Sequence, residues 1–274
     1  MLKKTVLNIL ALMLFSLLLC IGMWEQSPNN GIPVLNYHQV NLDQHTPLTL
    51  SPYEFETQLS YLRQEGYHTI TPRQLADYVE YGQSLPDKPI VITFDDGYMD
   101  NYQEAYPLLE KYGFKATFFV IANFVGTSDR YMNWEQLKEL NKQGYDIESH
   151  TLTHKRLPFQ NDDKAKMELV SSKKIIEKKL DKKVEFLAYP GGEFDQRIED
   201  LSRSAGYRAA FTVDFGRDYK GNDLFQLHRI PIFEASHTFL RFWLRLKLTP
   251  VVVAMQQWKN QQDQNLLAKL LVIP

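Results

Sequence analysis

The chain has 274 residues, which is long enough for one large domain with a substantial core. Its 31 basic and 33 acidic residues give a formal net charge of -2, and this balance excludes a general electrostatic attraction to nucleic acid. The single cysteine, Cys20, excludes a disulfide scaffold and a cysteine-based metal site.

Residues 1–24 are typical of an export signal or a membrane anchor. Lys3 and Lys4 precede a mostly apolar run over residues 6–24, which is long enough to span a bilayer. No small-residue cleavage site follows the run, and Leu19 before Cys20 makes a poor lipoprotein signal. We therefore favour an uncleaved anchor, with the domain on the extracellular face of the membrane, over a cleaved signal and a secreted protein. Residues 25–31 form a short polar linker.

Strand-like and helix-like segments alternate over residues 32–235, which we take as one domain. The predicted strands cover residues 32–37, 67–70, 90–96, 115–121, 145–148, 184–189, 207–213 and 227–233. The predicted helices begin at the capping boxes of Ser51 and Thr71, then cover residues 101–112, 133–141, 162–183 and 195–205. Such alternation indicates parallel βαβ units, and seven or eight of them close into an α/β barrel. Residues 236–274 are a basic, aromatic amphipathic tail, which either covers the bottom of the barrel or lies against the membrane.

Asp95 and Asp96 end the apolar strand that begins at Ile90. Adjacent ionised carboxylates at the end of a buried strand repel each other, so we expect a cation beside them or a proton on one of them. His150 and His154 follow another strand in an H-x-x-x-H pair. One carboxylate and two imidazoles can bind Zn²⁺ or a similar divalent ion with a position left for water. We therefore interpret Asp96, His150 and His154 as metal ligands and Asp95 as a base that acts on water.

Both motifs resemble those of the polysaccharide deacetylases of carbohydrate esterase family 4, the NodB homology family. The likeness lies in Thr93-Phe-Asp-Asp96 and Ser149-His-Thr-Leu-Thr-His154, and it extends over roughly residues 32–233. It implies a distorted (β/α) barrel of seven or eight units and a divalent metal, most often zinc, with cobalt, nickel or manganese as other candidates. It also implies that Asp95 is the catalytic base and that Asp96 and both histidines bind the metal.

His38 follows the first strand, on the end of the barrel where such enzymes place their sites. The segment from Val34 to His38 is similar to the N-terminal motif of the biofilm poly-N-acetylglucosamine deacetylases, and this likeness implies that His38 protonates the leaving amine. His228 is the other candidate acid, but it lies in the middle of a strand and is followed by Arg229.

Gly191 stands in a Tyr-Pro-Gly-Gly segment where members of the family carry Arg-x-Pro-Tyr. Ala188 replaces the family arginine that orients the base, so that another group must orient it, and Arg217 or Arg229 could do so. A glycine keeps the backbone N–H that donates to the oxyanion in the family, so Gly191 can retain that role.

The expected function is therefore metal-dependent removal of acetyl groups from an extracellular N-acetylglucosamine polysaccharide, with the β-1,6-linked biofilm polymer favoured. Peptidoglycan or chitin-type oligosaccharides remain alternative substrates, and a non-catalytic sugar-binding module remains an alternative function. A two-carboxylate glycosidase is disfavoured, because its carboxylates lie ~5–9 Å apart across the scissile bond and adjacent aspartates do not meet that spacing.

Overall fold

The computed structural model describes residues 31–42, 46–232 and 239–253. The predicted anchor or signal, most of the linker and the end of the C-terminal tail lie outside these residues. Within the described ranges, no helix combines the length and the apolar character needed to cross a membrane.

Ten strands alternate with the helices. The strands are β1 Val34–Tyr37, β2 Gln39–Val40, β3 Thr49–Leu50, β4 His68–Thr69, β5 Pro89–Asp96, β6 Thr117–Val120, β7 Asp146–Ser149, β8 Phe186–Ala188, β9 Ala209–Phe215 and β10 Leu227–Pro231. The helices are α1 Pro52–Gln64, α2 Pro72–Tyr81, α3 Tyr106–Tyr112, α4 Trp134–Lys142, α5 Asp162–Leu180, α6 Gln196–Ser204 and α7, residues 239–253. A π-helical turn, Asn101–Ala105, leads into α3, and two 3₁₀ turns cover Leu157–Phe159 and Pro190–Gly192.

Seven parallel strands close into a barrel in the order β1-β10-β9-β8-β7-β6-β5, because β1 pairs with β5 as well as with β10. The short strand β4 pairs with the start of β5, and β2 pairs with β3 apart from the barrel. The predicted α/β barrel is thus confirmed, with seven strands. The capping boxes predicted at Ser51 and Thr71 form at the starts of α1 and α2.

The interior of the barrel is apolar at one end and polar at the other. The apolar end is filled by side chains from six strands and is closed by α2. This cluster includes Val34, Val91, Phe119, Phe186, Phe211 and Leu227 from the strands and Leu75 and Val79 from α2. Alternate strand residues such as Leu35, Ile92 and Phe118 belong to a second cluster that packs with the surrounding helices. Asp95 and Asp96 lie at the carboxyl terminus of β5, and the parallel strands all end on the same side of the barrel. The polar end is therefore the one where α/β barrels carry their active sites.

A buried glutamate joins β7 to β8, which pair directly only at Ser149. Glu148 accepts hydrogen bonds from the backbone N–H groups of Glu185 and Phe186 at 2.9 and 2.8 Å, and Lys182 lies 2.8 Å away. Burial raises the pKa of Glu148 to about 7, although Lys182 opposes this shift. The carboxylate supplies acceptors that the short strand pairing does not provide.

The C-terminal helix α7 packs against the domain. Phe242 and Leu246 are buried, and the ring of Phe242 meets Tyr61 of α1 edge-on. Arg217 donates to the carbonyl oxygen of Leu246 at 2.6 Å. Phe242 and Leu246 of the predicted tail therefore pack into the core of the domain.

Candidate active site

Asp95 is held by an arginine from the last strand of the barrel. Arg229 Nη1 donates to Asp95 Oδ1 at 2.7 Å and Nη2 donates to Oδ2 at 2.8 Å, in a bidentate pair that is fully buried. Burial alone would raise the pKa of Asp95, but the positive charge and hydrogen bonds of Arg229, together with the nearby His150 and His38, outweigh it and hold the pKa well below its usual range. This guanidinium places a positive charge directly against Asp95, which is ionised at neutral pH.

Asn36 of β1 and His38, which directly follows β1, also face Asp95. Asn36 donates from Nδ2 to Asp95 Oδ2 at 3.2 Å, and His38 Nε2 lies 4.0 Å from the same oxygen. Burial lowers the pKa of His38, whereas the nearby carboxylates of Asp95 and Asp96 oppose this effect. His38 therefore lies beside the predicted base, as its place after the first strand indicates.

Asp96 points to the mouth of the barrel because its backbone is left-handed. Consecutive side chains of a regular strand face opposite sides, but Asp96 has φ 74° and so can share this end of the barrel with Asp95. Non-glycine residues with positive φ are uncommon. Thr151 and His154, at φ 67° and 61°, adopt the same conformation in the loop after β7. The strain is thus concentrated where these two segments meet.

Asp96, His150 and His154 come together as one cluster. Asp96 Oδ1 lies 3.6 Å from His150 Nε2 and 3.4 Å from His154 Nε2, and the three atoms all lie within 4.8 Å of one another. His150 Nδ1 lies 2.8 Å from the carbonyl oxygen of Ala188. Because a carbonyl only accepts, Nδ1 must carry the proton, and Nε2 is left as the ligand atom.

These residues fit a divalent metal ion. Ligand atoms at about 2.0–2.1 Å in a tetrahedral arrangement lie about 3.3 Å from each other, close to the two distances from Asp96 Oδ1. That oxygen is buried, and none of the described residues donates a hydrogen bond to it. An orphaned carboxylate oxygen facing two imidazole nitrogens is the donor set that zinc and similar ions accept.

A glutamate of α5 holds the loop between the two histidines. Glu168 Oε2 accepts from the backbone N–H groups of Leu152 and Thr153 at 2.9 and 2.7 Å, and the hydroxyl of Thr153 donates to Oε1. Glu168 is 3% exposed. Glu168 was not among the predicted site residues; the signal that could have found it is an acid on the same helix face as Ala165, Leu169 and Ser172.

Two remaining candidates are separated from Asp95. His228 binds Asp218, with Nδ1 to Oδ1 at 2.9 Å, and this contact raises the pKa of His228 although burial opposes it. Of the two arginines predicted to replace the family arginine, Arg229 contacts Asp95, whereas Arg217 binds Leu246. Arg229 therefore replaces it.

Gly191 lies in the 3₁₀ turn that follows β8, the strand whose Ala188 carbonyl binds His150. It has φ 65°, and a Cβ at this position would meet no other atom within 4 Å. Gly192 beside it, at φ 71°, has no such space, because a Cβ would lie 2.6 Å from the backbone nitrogen of Val213. The turn thus combines one open position with one that only glycine can occupy.

The parallel barrel and this cluster are typical of a hydrolase. A buried ionised carboxylate, a metal-type donor set and an imidazole lie together at the carboxyl end of the barrel strands. The family model for polysaccharide deacetylases matches residues 82–210.

Comparison with individual proteins gives the same assignment. The chain is 32% identical over 201 residues to the Bacillus subtilis protein YxkH, which carries the name of a polysaccharide deacetylase, and the match covers 73% of this chain and 71% of that protein. It is 27% identical over 243 residues to a poly-β-1,6-N-acetyl-D-glucosamine N-deacetylase of Staphylococcus epidermidis, covering 78% and 83% of the two chains. The solved structure of the Streptococcus pyogenes deacetylase PplD in complex with acetate matches with a TM-score of 0.72 at 28% identity, covering 75% and 93%. The chain belongs to the polysaccharide deacetylase family and is a hydrolase.

Proposed function

We propose that this protein removes N-acetyl groups from an extracellular polysaccharide of N-acetylglucosamine, with the β-1,6-linked polymer as its substrate. The choice of polymer is supported by the likeness to the Staphylococcus epidermidis deacetylase, whose name gives that polymer as its substrate. The extracellular location is supported by the lysine-flanked apolar run at residues 6–24. Deacetylation converts neutral units to cationic amines, which changes how a surface polymer adheres to an anionic cell wall.

The observation that carries this proposal is the joint position of Asp95 and the Asp96, His150 and His154 cluster. These three residues would hold the divalent ion, most simply zinc. When bound, such an ion lowers the pKa of a water molecule and polarises the acetamide carbonyl.

Asp95 is the general base in this proposal. Arg229 keeps it ionised and fixes the direction of both carboxylate oxygens, so that it can accept a proton from the attacking water. The backbone N–H of Gly191 would donate to the oxyanion of the tetrahedral intermediate, and the open space at this position leaves room for substrate.

His38 is the general acid. Burial lowers its pKa, so its imidazole is neutral at rest, and the proton that it delivers is the one that Asp95 takes from the attacking water and transfers to His38, which restores the Asp95 carboxylate. His38 then protonates the departing nitrogen as the C–N bond breaks, which releases acetate and a glucosamine unit.

The test compares acetate release from β-1,6-linked N-acetylglucosamine oligomers with release from peptidoglycan fragments and chitin oligosaccharides. We expect release from the first, its loss on treatment with a chelator, and its recovery on addition of zinc. Release only from peptidoglycan or chitin would overturn the choice of polymer. Binding of oligomers without release from any of them, in metal-loaded protein, would indicate a sugar-binding module.

His38→Ala separates the acid from the metal ligands. We expect turnover to fall while the metal content measured by mass spectrometry stays at the wild-type level. Loss of metal from His38→Ala would make His38 a ligand and would remove the proposed acid.

A further inference from the structure

The segment that carries His38 is anchored by the residues that follow the two aspartates. Asn101 is fully buried, and its Nδ2 donates to the carbonyl oxygen of His38 at 2.7 Å. The same nitrogen donates to Asp100 Oδ1 at 2.9 Å. One amide group therefore ties the backbone of His38 to the start of the π-helical turn.

Asp100 holds the next three residues of the same segment. Its Oδ2 accepts from Asn41 Nδ2 at 2.5 Å and from Gln39 Nε2 at 3.4 Å. The backbone N–H of Val40 also donates to this carboxylate. Asp100 and Asn101 together thus fix residues 38–41 from one side.

The π-helical turn helps these two residues to reach His38 and β2. It inserts the equivalent of one extra residue before α3, which rotates the preceding residues by about 100° relative to a continuous α-helix. The sequence predicts an unbroken helix from residue 101, so this rotation is not visible in the hydrophobic pattern. Such turns are rare and occur often at functional sites.

We propose that Asn101 is a positioning residue for His38. It does not touch substrate; it fixes the backbone of His38 and thereby the place of the imidazole, whose Nε2 lies 4.0 Å from Asp95 Oδ2. This inference rests on the proposed role of His38 as the acid. As a consequence, the base, one metal ligand and the anchor of the acid all lie within residues 95–101, so one rigid stretch sets their mutual distances.

The first test replaces Asn101 by Asp and by Ala. Asn101→Asp keeps the shape but exchanges the amide donor for an acceptor that repels both the His38 carbonyl and Asp100. A displacement of about 1 Å at a catalytic group costs on the order of 100-fold in rate, so we expect kcat to fall by about 10- to 100-fold. KM and metal affinity, measured by chelator competition, should stay at the wild-type values. Should Asn101→Ala fail to fold, the isosteric Asn101→Asp carries the test alone.

A double-mutant cycle distinguishes positioning from a general structural role. In a His38→Ala background, Asn101→Ala should lower the remaining activity by less than about twofold, because the group that Asn101 places is already absent. Equal effects in the two backgrounds would overturn the proposal. Asn161→Ala is the matched control, since it removes another asparagine hydrogen bond, in which Oδ1 accepts from the backbone N–H of Lys164 at the start of α5. We expect it to lower stability equally with and without His38.

Histidine side-chain NMR reads the position of His38 without any substrate. The His38 imidazole signals should shift in Asn101→Asp while those of His228 stay in place. Unchanged His38 signals would overturn the inference about Asn101. If instead no polymer releases acetate with wild-type protein while the His38 signals do shift, the proposed function fails and the anchoring by Asn101 stands.

Discussion

Replacing Arg229 by methionine removes the only counter-charge that contacts Asp95 directly among the described residues, at nearly constant side-chain volume. The variant leaves a carboxylate 2% exposed beside a second aspartate. Breaking a buried ion pair from one side costs about 3–5 kcal/mol in unfolding free energy. The carbonyl oxygen of Thr212, to which Arg229 Nε donates at 2.6 Å, loses its partner as well.

These magnitudes set the expected result. For a domain of this size, about 2–4 °C of melting temperature corresponds to each kcal/mol, so we expect Arg229→Met to melt about 6–20 °C below wild type. The measurement is thermal and urea unfolding of both proteins without metal, so that metal affinity does not enter the comparison. Asp95→Asn in the Arg229→Met background should recover part of the loss, because it removes the unpaired charge.

The pH dependence provides an independent check. The pKa of Asp95 lies below its unfolded value of about 3.9, so the ion pair stabilises the fold above pH ~4 and loses this contribution as the pH falls through the folded pKa. The stability gap between wild type and Arg229→Met should therefore be widest at neutral pH and narrow under acid. A gap below about 1 kcal/mol at neutral pH, or an equal gap under acid, would refute the reasoning.

Three further predictions concern four variants in and around the site. Glu168→Ala frees the backbone between the two histidines and should weaken zinc affinity by about 10- to 100-fold in chelator competition; unchanged affinity would show that the loop holds itself. Gly192→Ala should lower the unfolding free energy by more than about 2 kcal/mol, whereas Gly191→Ala, with open space around it, should cost about 1 kcal/mol in urea unfolding; equal losses would contradict the steric argument. His228→Asn removes a contact to Asp218 that raises the pKa of His228. In the wild-type protein this contact stabilises the fold fully below pH ~6.5, and its contribution falls as the pH rises through the folded pKa of His228. Its stability deficit should thus be larger at pH 6 than at pH 9, and a deficit that grows toward pH 9 would contradict the assignment.

The sequence predicted the barrel and the metal-type cluster because both depend on local patterns. Asp96 ends β5, and His150 and His154 lie in the loop that begins directly after β7; parallel strands bring their carboxyl ends together. Short motifs at strand ends therefore carry enough information to place these three residues side by side.

Contacts between distant segments were less predictable. Arg229 was one of two candidates, since its partner lies 134 residues away and no local pattern selects it over Arg217. Glu168 was overlooked because its partners are backbone N–H groups, which no sequence motif displays. The π-helical turn at Asn101 was predicted as an ordinary helix, because its geometry follows from tertiary packing rather than from side-chain periodicity.

The closure of the barrel has a consequence for the order of assembly. The first strand brings Asn36 and His38, the last brings Arg229, and both reach Asp95 only at the seam where the two ends of the barrel meet. An incomplete chain that lacks β10 carries every proposed metal ligand yet leaves its base without a counter-ion. The proposed catalytic activity therefore requires the final strand. Measured turnover would come from complete barrels and not from partly folded chains.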